Sequence, residues 1–111
     1  MKIAITSLED NVESLVDRRF GRCNYFAIYD TGTGTCEFVK NSGGERIEGA
    51  GITAVNMIRA REVKKVVSGE FGKSVKLTFD QLQVQLISLP DQTKTISQII
   101  GMLKQPLIDS D

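Results

Sequence analysis

Short apolar runs alternate with polar or glycine-rich stretches along the chain, and each run has either the length of a strand or the spacing of a helix. Lys2–Thr6 is brief and β-branched, which predicts a buried strand. Ser7–Val16 is polar, with Val12, Leu15 and Val16 as its anchors, and fits a loop or a short helix. Tyr25–Asp30 and Cys36–Lys40 flank Thr31-Gly32-Thr33-Gly34, the composition of a hairpin turn. Both faces of Tyr25–Asp30 are apolar, as expected of a strand covered on both sides. Asn41–Arg46 is a loop by composition.

The second half changes period. Gly49-Ala50-Gly51 opens a run in which Ile52, Val55, Ile58 and Arg59 step at helical spacing, followed by the strand Val63–Ser68. Ser68-Gly69-Glu70-Phe71-Gly72-Lys73-Ser74 leads into a second helix carrying Val75, Phe79 and Leu82. Val84–Leu89 is a further apolar strand, closed by Pro90. Thr95 is placed to cap a last helix with Ile96, Ile99, Ile100 and Leu103, which Gln105-Pro106 ends. Three strands followed by helix, strand, helix, strand, helix predict an α/β domain. Its mixed five-stranded sheet would carry helices on its faces, as one unit over residues 1–105 with a tail at 106–111.

Composition narrows the chemistry. The chain of 111 residues is 41% hydrophobic and 25% charged, with zero net charge, which argues against non-specific binding to nucleic acid or to an anionic membrane. No apolar run reaches membrane-spanning length. Histidine, the commonest general base and metal ligand, is missing. Two cysteines are too few for a four-ligand zinc or iron–sulfur site within one chain. Met1–Thr6 reads as a strand and not as a signal peptide, so a reducing, cytoplasmic location is expected.

Candidate chemistry gathers at Asp17-Arg18-Arg19-Phe20-Gly21-Arg22-Cys23, directly before an aromatic strand. Arginine holds polyanions through a planar, permanently charged fork. A thiol beside arginines is expected to ionise more easily and so to bind soft metals. The competing account is a solvated basic loop followed by a buried, inert cysteine. The glycines at both helix beginnings would present free backbone N–H groups and positive dipole ends to an anion; alternatively they serve tight turns and close packing. Phe20 is either a gate or packing, and Asp17 either orients an arginine or is a solvated acid. Cys36 reads as structural or incidental.

Those motifs are similar to the dinitrogenase iron–molybdenum cofactor biosynthesis family, over nearly the whole chain. The likeness rests on Val16–Cys23, on Gly49-Ala50-Gly51-Ile52, and on Val66-Val67-Ser68-Gly69 with Gly72. It implies a ribonuclease H-like three-layer fold. It also implies a non-catalytic role: binding, storing or delivering iron–sulfur clusters or iron–molybdenum cofactor precursors, in exchange with a cluster donor or acceptor protein. The chain is expected to be a monomer or a homodimer, the latter bringing two Cys23 thiols together. The positions it brings toward the ligand are Arg19, Phe20, Gly21, Arg22, Gly49, Gly51, Gly69 and Gly72. Lys73 is a further attractive charge, and Cys23 is the metal ligand. The chain departs from the family pattern at Glu70 (asparagine is usual), Lys73 (proline) and Gln83 (a helix-ending glycine).

Three functions compete: a carrier for an anionic metal–sulfur species, a module binding a phosphate-bearing small molecule or a partner protein, and a nuclease. A nuclease needs several carboxylates to hold two metal ions, and only Asp17, Asp30 and Glu70 lie near predicted strand ends.

Overall fold

The computed structural model describes residues 1–44, 48–89 and 93–104. In chain order the elements are β1 (Lys2–Ser7), β2 (Tyr25–Asp30), β3 (Thr35–Lys40), α1 (Ala50–Ala60), β4 (Val63–Ser68), α2 (Lys73–Gln81), β5 (Gln85–Ser88) and α3 (Ile96–Lys104). This is the order expected from the hydropathy pattern, with ends moved by a residue in β1, β3 and at both ends of β5. Between Ser7, the end of β1, and the bridge residues Leu15 and Val16, residues 8–14 form turns and bends, the loop alternative and not the helix. The expectations for Glu45, Arg46, Pro90, Gln105-Pro106 and the 106–111 tail lie outside the described residues.

The sheet runs β3-β2-β1-β4-β5. β1 pairs antiparallel with β2 and parallel with β4; β2–β3 is antiparallel and β4–β5 parallel. Because side chains alternate along a strand, each central strand feeds two cores. Ala4, Phe26, Ile28 and Val66 pack with Ala54, Val55 and Ile58 of α1 and Val75 and Phe79 of α2. Ile3, Ile5, Ala27 and Val67 pack with Ile96 and Ile99 of α3. The result is a three-layer α/β domain: two helices on one face and one on the other.

Local chemistry ends the helices where the pattern requires. Thr95 and Gln98 form a reciprocal capping box at the start of α3: Thr95 Oγ1 accepts from the Gln98 N–H at 3.1 Å, and Gln98 Oε1 accepts from the Thr95 N–H at 2.8 Å. The Gln83 N–H donates to the Asp80 carbonyl at 3.1 Å and the Val84 N–H to the Phe79 carbonyl at 2.9 Å, the bond pair of a Schellman turn. The turn therefore keeps the form a glycine would give, with Gln83 at φ 60°. A side chain in that region is strained by about 1–2 kcal/mol, whereas glycine adds about 0.4–1 kcal/mol of unfolded-state entropy. Gln83→Gly is thus expected to stabilise the domain by about 0.5–1 kcal/mol, read as a higher urea midpoint at unchanged m-value.

The arrangement opens a crevice at one end of the sheet. β1 and β4 are parallel neighbours, but the chain leaves β1 towards β2 and leaves β4 through α2 towards β5. Such divergence at the carboxyl ends of strands is where open α/β sheets take their ligands. The long β1–β2 connection lies across it.

Candidate functional site

The arginine stretch is laid over the ends of β1 and β4 by backbone bonds. The Asp17 N–H donates to the Thr6 carbonyl at 2.9 Å, and Thr6 Oγ1 donates to the Asp17 carbonyl at 2.7 Å. The Gly69 N–H donates to the Asp17 carbonyl at 3.3 Å and the Glu70 N–H to the Arg18 carbonyl at 2.8 Å, extending the sheet to an Arg19–Glu70 bridge. The seam leaves no room for a side chain on Gly69: a Cβ there would stand 2.6 Å from Arg18 Cα.

Within this seam Asp17 is buried, at 2% exposure. Its Oδ1 accepts from the Arg19 backbone N–H at 2.9 Å and from Arg19 Nε at 3.2 Å, and its Oδ2 from Arg19 Nη2 at 3.3 Å. Hydrogen bonding to Asp17, reinforced by its charge, pushes the Arg19 guanidinium further up from its ordinary value. Of the two accounts of Asp17, the structure supports the orienting one: a buried carboxylate fixes the direction of a half-exposed guanidinium.

Beyond Arg19 the chain enters a cleft of about 440 Å³. Arg19, Phe20, Gly21 and Arg22 form one wall; Gly49, Ala50 and Gly51 form the second, and Glu70, Phe71, Gly72, Ser74 and Val75 the third. The second and third walls are the N-termini of α1 and α2. Neither helix has a side-chain cap, and neither has an acidic residue in its first turn. The first intrahelical bonds bring the Thr53 N–H to the Gly49 carbonyl and the Lys76 N–H to the Gly72 carbonyl. The N–H groups of the preceding positions are those a helix leaves for an outside acceptor. Gly49 takes φ 77° to turn into α1. A Cβ on Gly21 would stand 3.1 Å from Gly51 Cα, so this glycine lets the arginine loop touch the first turn of α1.

Of the positions expected at the ligand, Arg19, Phe20, Gly21, Arg22, Gly49, Gly51 and Gly72 therefore line one cleft. Gly69 and Lys73 do not: Gly69 serves close packing, and Lys73 is exposed at the start of α2. Phe20 is 3% exposed and packs against Phe26, Phe71 and Phe79 with ring centroids 5.5–5.6 Å apart, so its main role is packing. Ser74, Val75, Ala50 and Phe71 also line the cleft, positions that the sequence places in the helix-entry motifs but not at the ligand. Ser74 carried a usable signal, a hydroxyl in the first turn of a glycine-started helix.

Cys23 requires a correction. It has no exposed surface, lies in the α1/α2 core, and donates from Sγ to the Phe20 carbonyl at 3.3 Å. Burial, followed by the charge of Asp17, pushes its thiol well above the ordinary range. The expectation of an easily ionised thiol at the ligand is overturned: desolvation outweighs charges that act from the solvent side. The sign of the pH effect follows. The unfolded thiol ionises near about 8.5 while the folded one keeps its proton. Stability from Cys23 is full below that pH and is expected to fall by up to about 1.4 kcal/mol per pH unit above it. Urea melts at pH 8 and 10 check this, since Cys23→Ala should flatten the difference.

The acids a nuclease would need are dispersed. Asp17 is tied to Arg19, Glu70 lies 3.7 Å from Arg18, and Asp30 lines a different cleft of about 540 Å³ with Met1, Lys2 and Lys64. That larger cleft lies where α1 and α2 end, around Arg59, Glu62 and Leu82. Helix carboxyl ends disfavour anions, and its charges are mixed, so it does not rival the arginine cleft as an anion site. Among the described residues no helix is long and apolar enough to cross a membrane.

Comparison with known proteins bears on the fold and the family. The apo form of the orange protein from Desulfovibrio gigas shares the fold with a TM-score of 0.84 at 24% identity, over 98% of this chain and 88% of that one. A Thermotoga protein provisionally described as NifB superposes with a TM-score of 0.78 at 26% identity, over 92% of this chain and 85% of its own. No curated protein matches. The family described as dinitrogenase iron-molybdenum cofactor matches residues 1–105, and the chain belongs to that family.

Proposed function

We propose that the protein is a non-catalytic carrier for an anionic metal–sulfur cluster or iron–molybdenum cofactor precursor, held in the arginine cleft by charge and backbone N–H groups and not by Cys23. One observation carries the proposal: two uncapped helix N-termini and two arginines, one of them aimed by a buried carboxylate, meet at a single cleft. Each contributes positive potential, and the helix turns add N–H donors that sulfide or oxide atoms accept. Phe71, partly exposed, adds apolar surface to the walls, which suits the weakly hydrated sulfur face of a cluster. The family's name supports a cluster as cargo. A cluster donor or acceptor protein, working in the cytoplasm, is the partner such a carrier implies.

A phosphate-bearing small molecule is the second reading. It is favoured by the same N–H cradle and by a cleft lining that, among the described residues, holds no cysteine. Anaerobic titration with tetrathiomolybdate and, separately, inorganic phosphate tests the choice. The carrier reading expects tetrathiomolybdate to bind more tightly, with Cys23→Ser keeping the affinity within about twofold, because a buried neutral thiol adds no charge to the cleft. Preference for phosphate would favour the second reading, and loss of binding in Cys23→Ser would restore the sulfur as a ligand.

A further inference from the structure

Glu70 is the one acidic residue on the cleft wall among the described residues. Counting formal charges there gives Arg19 and Arg22 at +2 and Glu70 at −1, for a net +1. Its backbone is fixed, with the N–H bonded to the Arg18 carbonyl at 2.8 Å and Gly69 wedged against Arg18. Only the side chain is free to choose a direction. It is 67% exposed, and its Oε2 lies 3.7 Å from Arg18 Nε. Arg18 does not line the cleft. It lines a neighbouring notch with Leu8, Leu15, Val16, Asp17 and Arg19. The ion pair therefore ties the Glu70 carboxylate, itself on the cleft wall, to a guanidinium that stands outside the cleft.

Building on the carrier reading, we propose that Glu70 determines the charge of the ligand the cleft accepts, and that Arg18 is the latch that holds its carboxylate aside. A carboxylate at the mouth repels each unit of ligand charge, so it penalises a dianion about twice as much, in free energy, as a monoanion of the same shape. With the latch closed the penalty is partial; with Arg18 removed, Glu70 is free to turn towards the cleft and the penalty grows. The cleft is thus tuned towards ligands of low net negative charge. Such a ligand would be a cluster whose sulfides are largely balanced by its metal ions, in contrast to a bare polyanion.

Perrhenate and molybdate, tetrahedral oxyanions of one and two charges, are the probes, titrated calorimetrically at low ionic strength. Glu70→Gln is expected to raise perrhenate affinity about threefold and molybdate affinity about tenfold, the square of the first. Arg18→Ala should lower molybdate affinity about threefold in the native background and clearly less in the Glu70→Gln background, a coupling that additive surface charges would not show. Equal gains for both probes in Glu70→Gln, or no gain, overturn the inference while leaving the anion site standing. If neither the native protein nor Glu70→Gln binds either probe, the anion-site reading fails and this inference fails with it.

Discussion

Replacing Arg19 and Arg22 together by alanine is expected to weaken tetrathiomolybdate binding by at least about 100-fold, since each charged hydrogen-bonding partner contributes about 1.5–3 kcal/mol. The two single substitutions should separate into different kinds of defect. Arg22 is exposed on the cleft wall, so Arg22→Ala should lower affinity about tenfold with little change in Tm. Arg19→Ala should do both kinds of damage. It strips two of the three donors from Asp17, leaving a buried carboxylate with its backbone N–H bond alone among the contacts described above. Loss of partners from a buried charge costs about 1–3 kcal/mol even where some solvent reaches the site. Affinity by calorimetry, paired with urea melts of the same samples, distinguishes the two. An Arg19→Ala protein with native stability would show that Asp17 does not depend on its arginine.

The second large effect is expected at Gly69. A methyl group there meets Arg18 backbone atoms at 2.6, 2.9 and 3.1 Å, and backbone has no flexible end to yield. Gly69→Ala should therefore destabilise the domain by about 2–4 kcal/mol, at or above the usual cost of overpacking. It should also reduce anion affinity, because the displaced segment is the one carrying Arg19 and Arg22. Gly72→Ala is the control: nothing lies within 4 Å of its added methyl, and its φ of −68° suits any residue. Its stability should change by less than about 0.5 kcal/mol. If both variants melt alike, the seam between the arginine stretch and β4 is not the close contact described.

Much of the fold was legible in the sequence because the domain obeys local rules. Strands with two apolar faces are central and covered on both sides, helical spacing marks the helices that cover them, and Thr95 caps α3 as its position suggested. The cleft was legible in part, because arginines and glycine-started helices have a chemistry that survives any modest shift of backbone. Two features depended on depth, which a linear pattern does not carry. Cys23 directly follows the exposed Arg22, yet one step along the chain turns its sulfur into the core. Gly69 resembles Gly49 as a residue before a helix, but a long-range crossing of the β1–β2 connection makes it a spacer. In the sequence Glu70 is only a departure from the family pattern; its pairing with Arg18 arises from that crossing, which places the two residues side by side.

In the carrier reading an anion sits where the arginine wall meets the first turns of α1 and α2. Amide chemical-shift mapping of ¹⁵N-labelled protein titrated anaerobically with tetrathiomolybdate tests it most directly. Saturable shifts are expected at the amides of residues 19–22, 50–52 and 73–75, abolished in the Arg19→Ala/Arg22→Ala variant. Shifts centred instead on Met1, Lys2 and Lys64 at the opposite end of the sheet, or no saturable shifts at all, would contradict it.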